Sequence, residues 1–250
     1  MSNSLQFQTF VFIDTEATGT GEDRPKIMEI CLIAVHRYSV VNTLLDHRRL
    51  PQMPRIVDKL CLCMNPKKLV SQRAVELTGL SNENMTENQK QGFDDTTVTL
   101  LNAFLKKQTP PICLVAHFGL KYDFPLLKTE LLRLNADLAG TIYCLDTYQA
   151  LKEIYEKCGP KPKRKGQYKL SELYRHYFKE YPAVTHGAEA DVVTLACVFL
   201  CCSQQLLEWA SLNSRSWEDI RPMYKPSPSK PEISHATPHY MRSSKTLVFS

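Results

Sequence analysis

Residues 9–16 read TFVFIDTE, apolar at nearly every position until the run ends in two carboxylates two residues apart. A strand that shows Phe, Val and Ile on both faces has to be covered on both, so the segment predicts a central strand of a buried sheet. Side chains alternate along a strand, which puts Asp14 and Glu16 on one face at its end. Two carboxylates side by side at the edge of an apolar sheet repel each other, and burial makes each harder to ionise. A hard divalent cation removes that conflict, because Mg²⁺ or Mn²⁺ takes oxygen ligands and needs only one or two carboxylates from the protein. A bare DxE is also the sequence of a solvated strand end beside an ordinary turn, and the pair alone does not decide between the two.

The rest of the chain fits an α/β protein. Residues 27–36 and 55–64 are apolar runs separated by a polar stretch with Pro51 and Pro54, the pattern of neighbouring strands in a meander. Helical spacing appears at 96–107, buried strands at 112–117 and 141–146, and a long apolar helix from about residue 189 to 211. Residues 1–8 are polar and read as a flexible N-terminus, and 9–224 as the folded domain. The segment KCGPKPKRKGQYK at 157–169 cannot continue a helix, and reads as an exposed, mobile basic loop. From residue 225 onward Pro226, Pro228, Pro231 and Pro238 interrupt a chain without apolar periodicity, which reads as a disordered, basic Pro/Ser-rich tail.

With 43% hydrophobic and 23% charged residues, the 250-residue chain has the composition of a soluble globular protein. Its net charge of +5 permits a polyanionic partner without requiring one, and much of the excess lies in the tail. Nine cysteines lie mostly in apolar runs without a CxxC pair, so they read as reduced, buried small hydrophobes of a reducing compartment. Cys61 and Cys63 share a strand, but no second ligand pair follows at zinc spacing. No apolar run reaches the roughly 18 residues needed to cross a bilayer, so no membrane association is expected.

Two further places bear on the carboxylate pair. Asp123 follows the strand 112–117 and opens a helix, where it is either a site residue or a carboxylate stabilised by the helix dipole. In His186-Gly187-Ala188-Glu189-Ala190-Asp191, Asp191 lies one turn into the long helix, while Gly187 places His186 on a flexible approach. A histidine there is movable and titrates near neutrality, as a general base should.

These residues resemble the DEDDh, or DnaQ-like, exonucleases, whose motifs are DxE, an Asp in an HNxxxYD segment and Hx4D. FIDTEATG at 12–19, ELTGLS at 76–81, LVAHFGLKYDFPLL at 114–127, LDT at 145–147, HGAEAD at 186–191 and RPMY at 221–224 are similar to the three-prime repair exonucleases in particular, most of all to a shorter member without a membrane anchor. The resemblance implies an RNase H-like mixed β-sheet flanked by helices. It also implies a 3′–5′ DNA exonuclease of DNA repair or degradation, acting on 3′ ends with single strands preferred and releasing nucleoside 5′-monophosphates.

By the same resemblance Asp14, Glu16 and Asp191 hold a pair of Mg²⁺ ions, with Mn²⁺ as substitute and Asp14 bridging them. Asp123 supports the site through water, and His186 accepts the proton of the attacking water. Glu16 and Ala17 match positions that touch the terminal nucleotide, and Leu77 and Tyr122 match further substrate contacts, with packing beside the site as the other reading. Lys161, Lys163, Arg164 and Lys165 resemble a DNA-gripping loop, though a solvated charge run has the same composition. A homodimer joined through sheet edges is implied, with the strand at 55–64 as the candidate edge, and a nuclear or cytoplasmic location.

Two departures fall near the site: Phe118 stands where the family has asparagine, and Thr20 where it has a leucine that wedges against terminal bases. Neither removes a metal ligand. They keep two rivals open, an exoribonuclease, since the chemistry does not depend on the sugar unless the pocket excludes the 2′-OH, and a nucleic-acid-binding relative with weakened catalysis.

Overall fold

The structure is a computed structural model that describes residues 5–158 and 166–226. Lys161, Lys163, Arg164 and Lys165 of the basic loop, and the tail beyond residue 226, lie outside the described residues.

β1 (Thr9–Ala17) pairs antiparallel with β2 (Ile27–His36); α1 (Arg37–Val41) follows, and then β3 (Asp58–Cys63) pairs antiparallel with β2. The meander expected from the apolar runs is therefore present, with β3 on its outer edge. Short helices α2 (Gln72–Thr78) and α3 (Asn82–Glu87) lead to α4 (Asp95–Lys106). Each starts at a side-chain cap: Ser71, Ser81 and Asp94 accept the backbone N–H of Ala74, Asn84 and Thr97. β4 (Ile112–Ala116) returns parallel to β1 and, after α5 (Asp123–Arg133), β5 (Ile142–Asp146) runs parallel to β4. Then come α6 (Thr147–Cys158), α7 (Leu170–Phe178), α8 (Ala188–Cys201), α9 (Ser203–Asn213) and the two-residue β6 (Arg215–Ser216) against β5. The result is a mixed six-stranded sheet of order β3-β2-β1-β4-β5-β6 with helices on both faces.

Alternation along β1 divides the core. Phe10 and Phe12 point to the face covered by α8, where the Phe199 ring lies 5.4 and 5.2 Å from theirs. Val11 and Ile13 point to the face covered by α5, among Phe124, Leu127 and Leu131. Each of these side chains is buried, and each contributes about 1.5–3 kcal/mol by leaving water.

Three expectations need correction. The helix expected over 189–211 breaks at Cys202 (φ −127°, ψ 30°), and α8 and α9 meet at 98°. Periodicity could not show the break, because α8 is apolar on nearly all sides. The bend instead carries Leu206, Trp209 and Ala210 back onto the cluster that already holds Val192 and Phe199. Residues 5–8 are not loose: Phe7 is buried against Phe10 and Tyr143, and Gln8 N–H donates to Pro111 O at 2.9 Å. The cysteines whose side chains are described are free but not uniformly buried, since Cys61 is exposed and Cys63, Cys197 and Cys201 are partly so. Among the described residues no single helix is long and apolar enough to cross a membrane.

Candidate active site

The division of β1 into two faces places the candidate residues. Asp14 and Glu16 continue the row of Phe10 and Phe12, so they emerge on the face under α8. Asp191 occupies the first turn of that helix, and one oxygen each from Asp14, Glu16 and Asp191 lie within 4.8 Å of one another. All three side chains are half-buried. At the end of the strand pair the register slips between Glu16 and Ala17, a bulge-like irregularity of the kind that re-aims side chains beside sites.

The electrostatics of this cluster are unfavourable without a cation. Burial, then the charges of Asp123, Asp191 and Glu16, push the Asp14 carboxyl well above the usual carboxylate range. Burial and Asp191 push Glu16 up to about 8, and burial raises Asp191. No lysine or arginine among the described residues forms an ion pair with any of the three. Converging carboxylate oxygens with no basic partner are the donor set of a hard divalent cation, and the residues present fit one.

Asp123 is placed differently. It begins α5 on the opposite face of the sheet and lies outside the 4.8 Å cluster. The N–H and Oγ1 of Thr15, the β1 residue between Asp14 and Glu16, donate to Asp123 Oδ1 at 3.1 and 2.8 Å. Burial nevertheless dominates, and its carboxyl is pushed up to about 7. No motif marks Thr15, although its parity on β1 points it away from Asp14.

His186 is exposed at φ 61°, in the left-handed region, and its N–H donates to Asp191 Oδ2 at 3.0 Å. The backbone of the loop is thus anchored to the acidic cluster. Ala17 closes β1, nearly buried. The Tyr122 hydroxyl donates to Gly19 O at 2.6 Å, which ties the Asp123 loop to the turn after β1. Leu77 lies on α2 and is 42% exposed, so packing into the core does not account for it.

The two departures have local explanations. Thr20 caps the short helical turn Gly21–Asp23, its N–H and hydroxyl both donating to Asp23 Oδ2, at 3.1 and 2.9 Å. Phe118 adopts φ 67°, a conformation that asparagine tolerates better than an aromatic residue. It is held there by buried Asp146, whose carboxylate accepts the N–H of Phe118, Leu120 and Tyr148 at 3.0, 3.1 and 2.9 Å. His117 Nε2 faces the Tyr168 carbonyl at 2.8 Å, which can only accept, so Nε2 carries the proton and Nδ1 accepts from Thr147. A further carboxylate that no motif marks lies beside the site: Glu29, opposite Glu16 in the β1–β2 register, accepts the Ala188 N–H at 2.9 Å.

The family model described as Exonuclease matches residues 11–199. Among solved structures, exonuclease I superposes with a TM-score of 0.61 at 16% identity, covering 81% of this chain and 43% of that one. The nuclease domain of 3′hExo, a DEDDh family member bound to rAMP, gives 0.58 at 15% identity over 84% of this chain and 96% of that one. Fold and matched model together define an exonuclease of the RNase H-like class. The chain is 44% identical over 235 residues to human Three prime repair exonuclease 2, covering 93% of this chain and 99% of that protein. With human Three-prime repair exonuclease 1 it shares 40% over 243 residues, covering 89% and 75%. The chain belongs to the three-prime repair exonucleases.

Proposed function

We propose that the protein removes nucleotides singly from DNA 3′ ends by metal-assisted phosphodiester hydrolysis, with residues 9–224 acting as one exonuclease domain. The convergence of Asp14, Glu16 and Asp191 within 4.8 Å, without a basic partner, carries the reading. Asp14, Glu16 and Asp191 would hold the metals. A pair of Mg²⁺ ions, with Mn²⁺ as substitute, supplies the charge that activates water and stabilises the leaving 3′ oxygen when bound.

The chain's own residues do the rest. Exposed His186 accepts the proton from water, and the Asp191 carboxylate holds its backbone in reach of the cluster. Asp123 keeps the second face of β1 in place through Thr15 and supports the site through water. Glu16 and Ala17 meet the terminal nucleotide, and exposed Leu77 and the Tyr122 ring flank it. Lys161, Lys163 and Lys165 meet the phosphates upstream as point charges and Arg164 through its planar fork, a sequence-blind and salt-sensitive contact. The product is a nucleoside 5′-monophosphate.

A homodimer through the edge of β3 belongs to the same proposal, since β2 occupies only one side of that strand and exposed Ile56 and Val57 lead into it. So does a nuclear or cytoplasmic location, which suits free cysteines. DNA is preferred over RNA on the strength of the two relatives, both named as repair exonucleases. The test is degradation of matched 3′-labelled DNA and RNA oligonucleotides with Mg²⁺, with Asp191→Asn as control. Stepwise shortening of DNA, lost in the variant, is the expected result. Faster loss of RNA would replace the substrate, and intact DNA and RNA would remove the enzyme.

A further inference from the structure

Helix α8 delivers Asp191, yet it starts without a cap of its own. Gly187 precedes it and offers no side chain to the first-turn N–H groups. The acceptor comes from another element: Glu29 Oε2, on β2, takes the Ala188 N–H at 2.9 Å. Glu29 faces Glu16 in the β1–β2 register, so the strand pair that carries Asp14 and Glu16 also anchors the helix that brings Asp191 to them. A second tie runs from Lys59 on β3 to Glu189 at 2.6 Å, but both side chains are about half exposed and the pair contributes little. The Glu29 bond differs, because Ala188 is fully buried and its N–H would be left without a partner if the carboxylate were removed.

We propose that Glu29 is a positioning residue for the exonuclease reaction, fixing the first turn of α8 so that Asp191 converges with Asp14 and Glu16. The inference rests on the metal-site reading above. The charge of Glu29 adds to the repulsion within the cluster, so it is there at an electrostatic cost. Glutamine has the same reach and an acceptor oxygen but no charge, which lets the hydrogen bond be tested apart from the charge.

Glu29→Ala and Glu29→Gln in the full chain are compared with wild type in three ways: kcat on a 3′-labelled single strand at saturating Mg²⁺, exchange of the Ala188 amide hydrogen, and Mn²⁺ binding by EPR without DNA. Glu29→Ala is expected to lose about tenfold in kcat, to speed Ala188 exchange by about tenfold and to weaken Mn²⁺ binding, whereas Glu29→Gln restores the protection and most of the rate. The proposal is overturned if Glu29→Ala keeps wild-type kcat and Ala188 protection, or if Glu29→Gln protects Ala188 and still fails to restore kcat. Should Glu29→Ala not fold, the glutamine variant decides alone: kcat within about threefold of wild type supports the role, and a tenfold loss refutes it. A wild-type protein without Mg²⁺-dependent 3′ degradation would defeat the parent reading instead, which the exchange and EPR measurements keep separate from Glu29.

Discussion

Asp123 is 4% exposed, hydrogen-bonded twice by Thr15 and set into the start of α5, while His186 stands exposed on a left-handed residue with only its backbone N–H tied to Asp191. Both come from the sequence motifs, yet their settings are opposite. A group that only has to be in place can be fixed by the core, at the expense of a raised carboxyl pKa. A group proposed to take a proton from water needs access to solvent and freedom to turn, and a tie at one backbone atom leaves His186 both.

The contrast predicts different kinds of damage. His186→Ala should lower kcat by roughly 10²–10⁴-fold while leaving the thermal midpoint unchanged, read by single-turnover kinetics beside calorimetry. A loss of stability alongside the rate would mean that the loop is structural. Thr15→Val removes one of the two donors to Asp123 and should destabilise the fold by about 1–3 kcal/mol in denaturant titrations. An unchanged midpoint would show that the backbone N–H suffices.

Metal should act on stability in a pH-dependent way. Glu16 rises from an ordinary value of 4.5 to about 8 in the folded protein, so the folded form holds this proton more tightly than the unfolded chain. Its contribution to stability is therefore most favourable below 4.5 and is lost as pH climbs through 8. A bound divalent cation offsets that loss, and the gain in melting temperature on adding Mg²⁺ should be larger at pH 8 than near pH 6. Equal gains would separate Glu16 from the metal. The smallest effect is expected from Phe118→Asn. Relief at φ 67°, about 1 kcal/mol, opposes loss of the edge contact with Tyr148, about 0.5–1.5 kcal/mol, so the net change should stay under about 1 kcal/mol.

What could be read in advance follows the range of the forces involved. Asp14 and Glu16 on one face, Asp123 at a helix start and Asp191 one turn into another helix all follow from period two or 3.6. The meander followed from the two apolar runs, whereas the edge position of β3 was implied by the family resemblance, since residues 37–57 separate β2 from β3. The Thr15–Asp123 and Glu29–Ala188 bonds join residues far apart in the chain, and no local pattern marks either partner. The same holds for Asp146, whose carboxylate serves a loop that begins nearly thirty residues earlier. The break at Cys202 was hidden because an all-apolar stretch has no period to interrupt. The left-handed backbone at Phe118 was masked by the residue itself, since a phenylalanine gives no sign of positive φ.

β3 is at once a rim and a strut. Its outer side offers unpaired backbone groups, while its inner side backs β2, with Cys63 opposite the Glu29 that accepts the Ala188 N–H at the root of α8. A strand added to that rim, whether from a copy of the chain or from a foreign peptide, would stiffen the support under the helix that carries Asp191. Lengthening the sheet at this edge would then register as a change in turnover, and the margin of the fold would serve as a tuning screw for its centre.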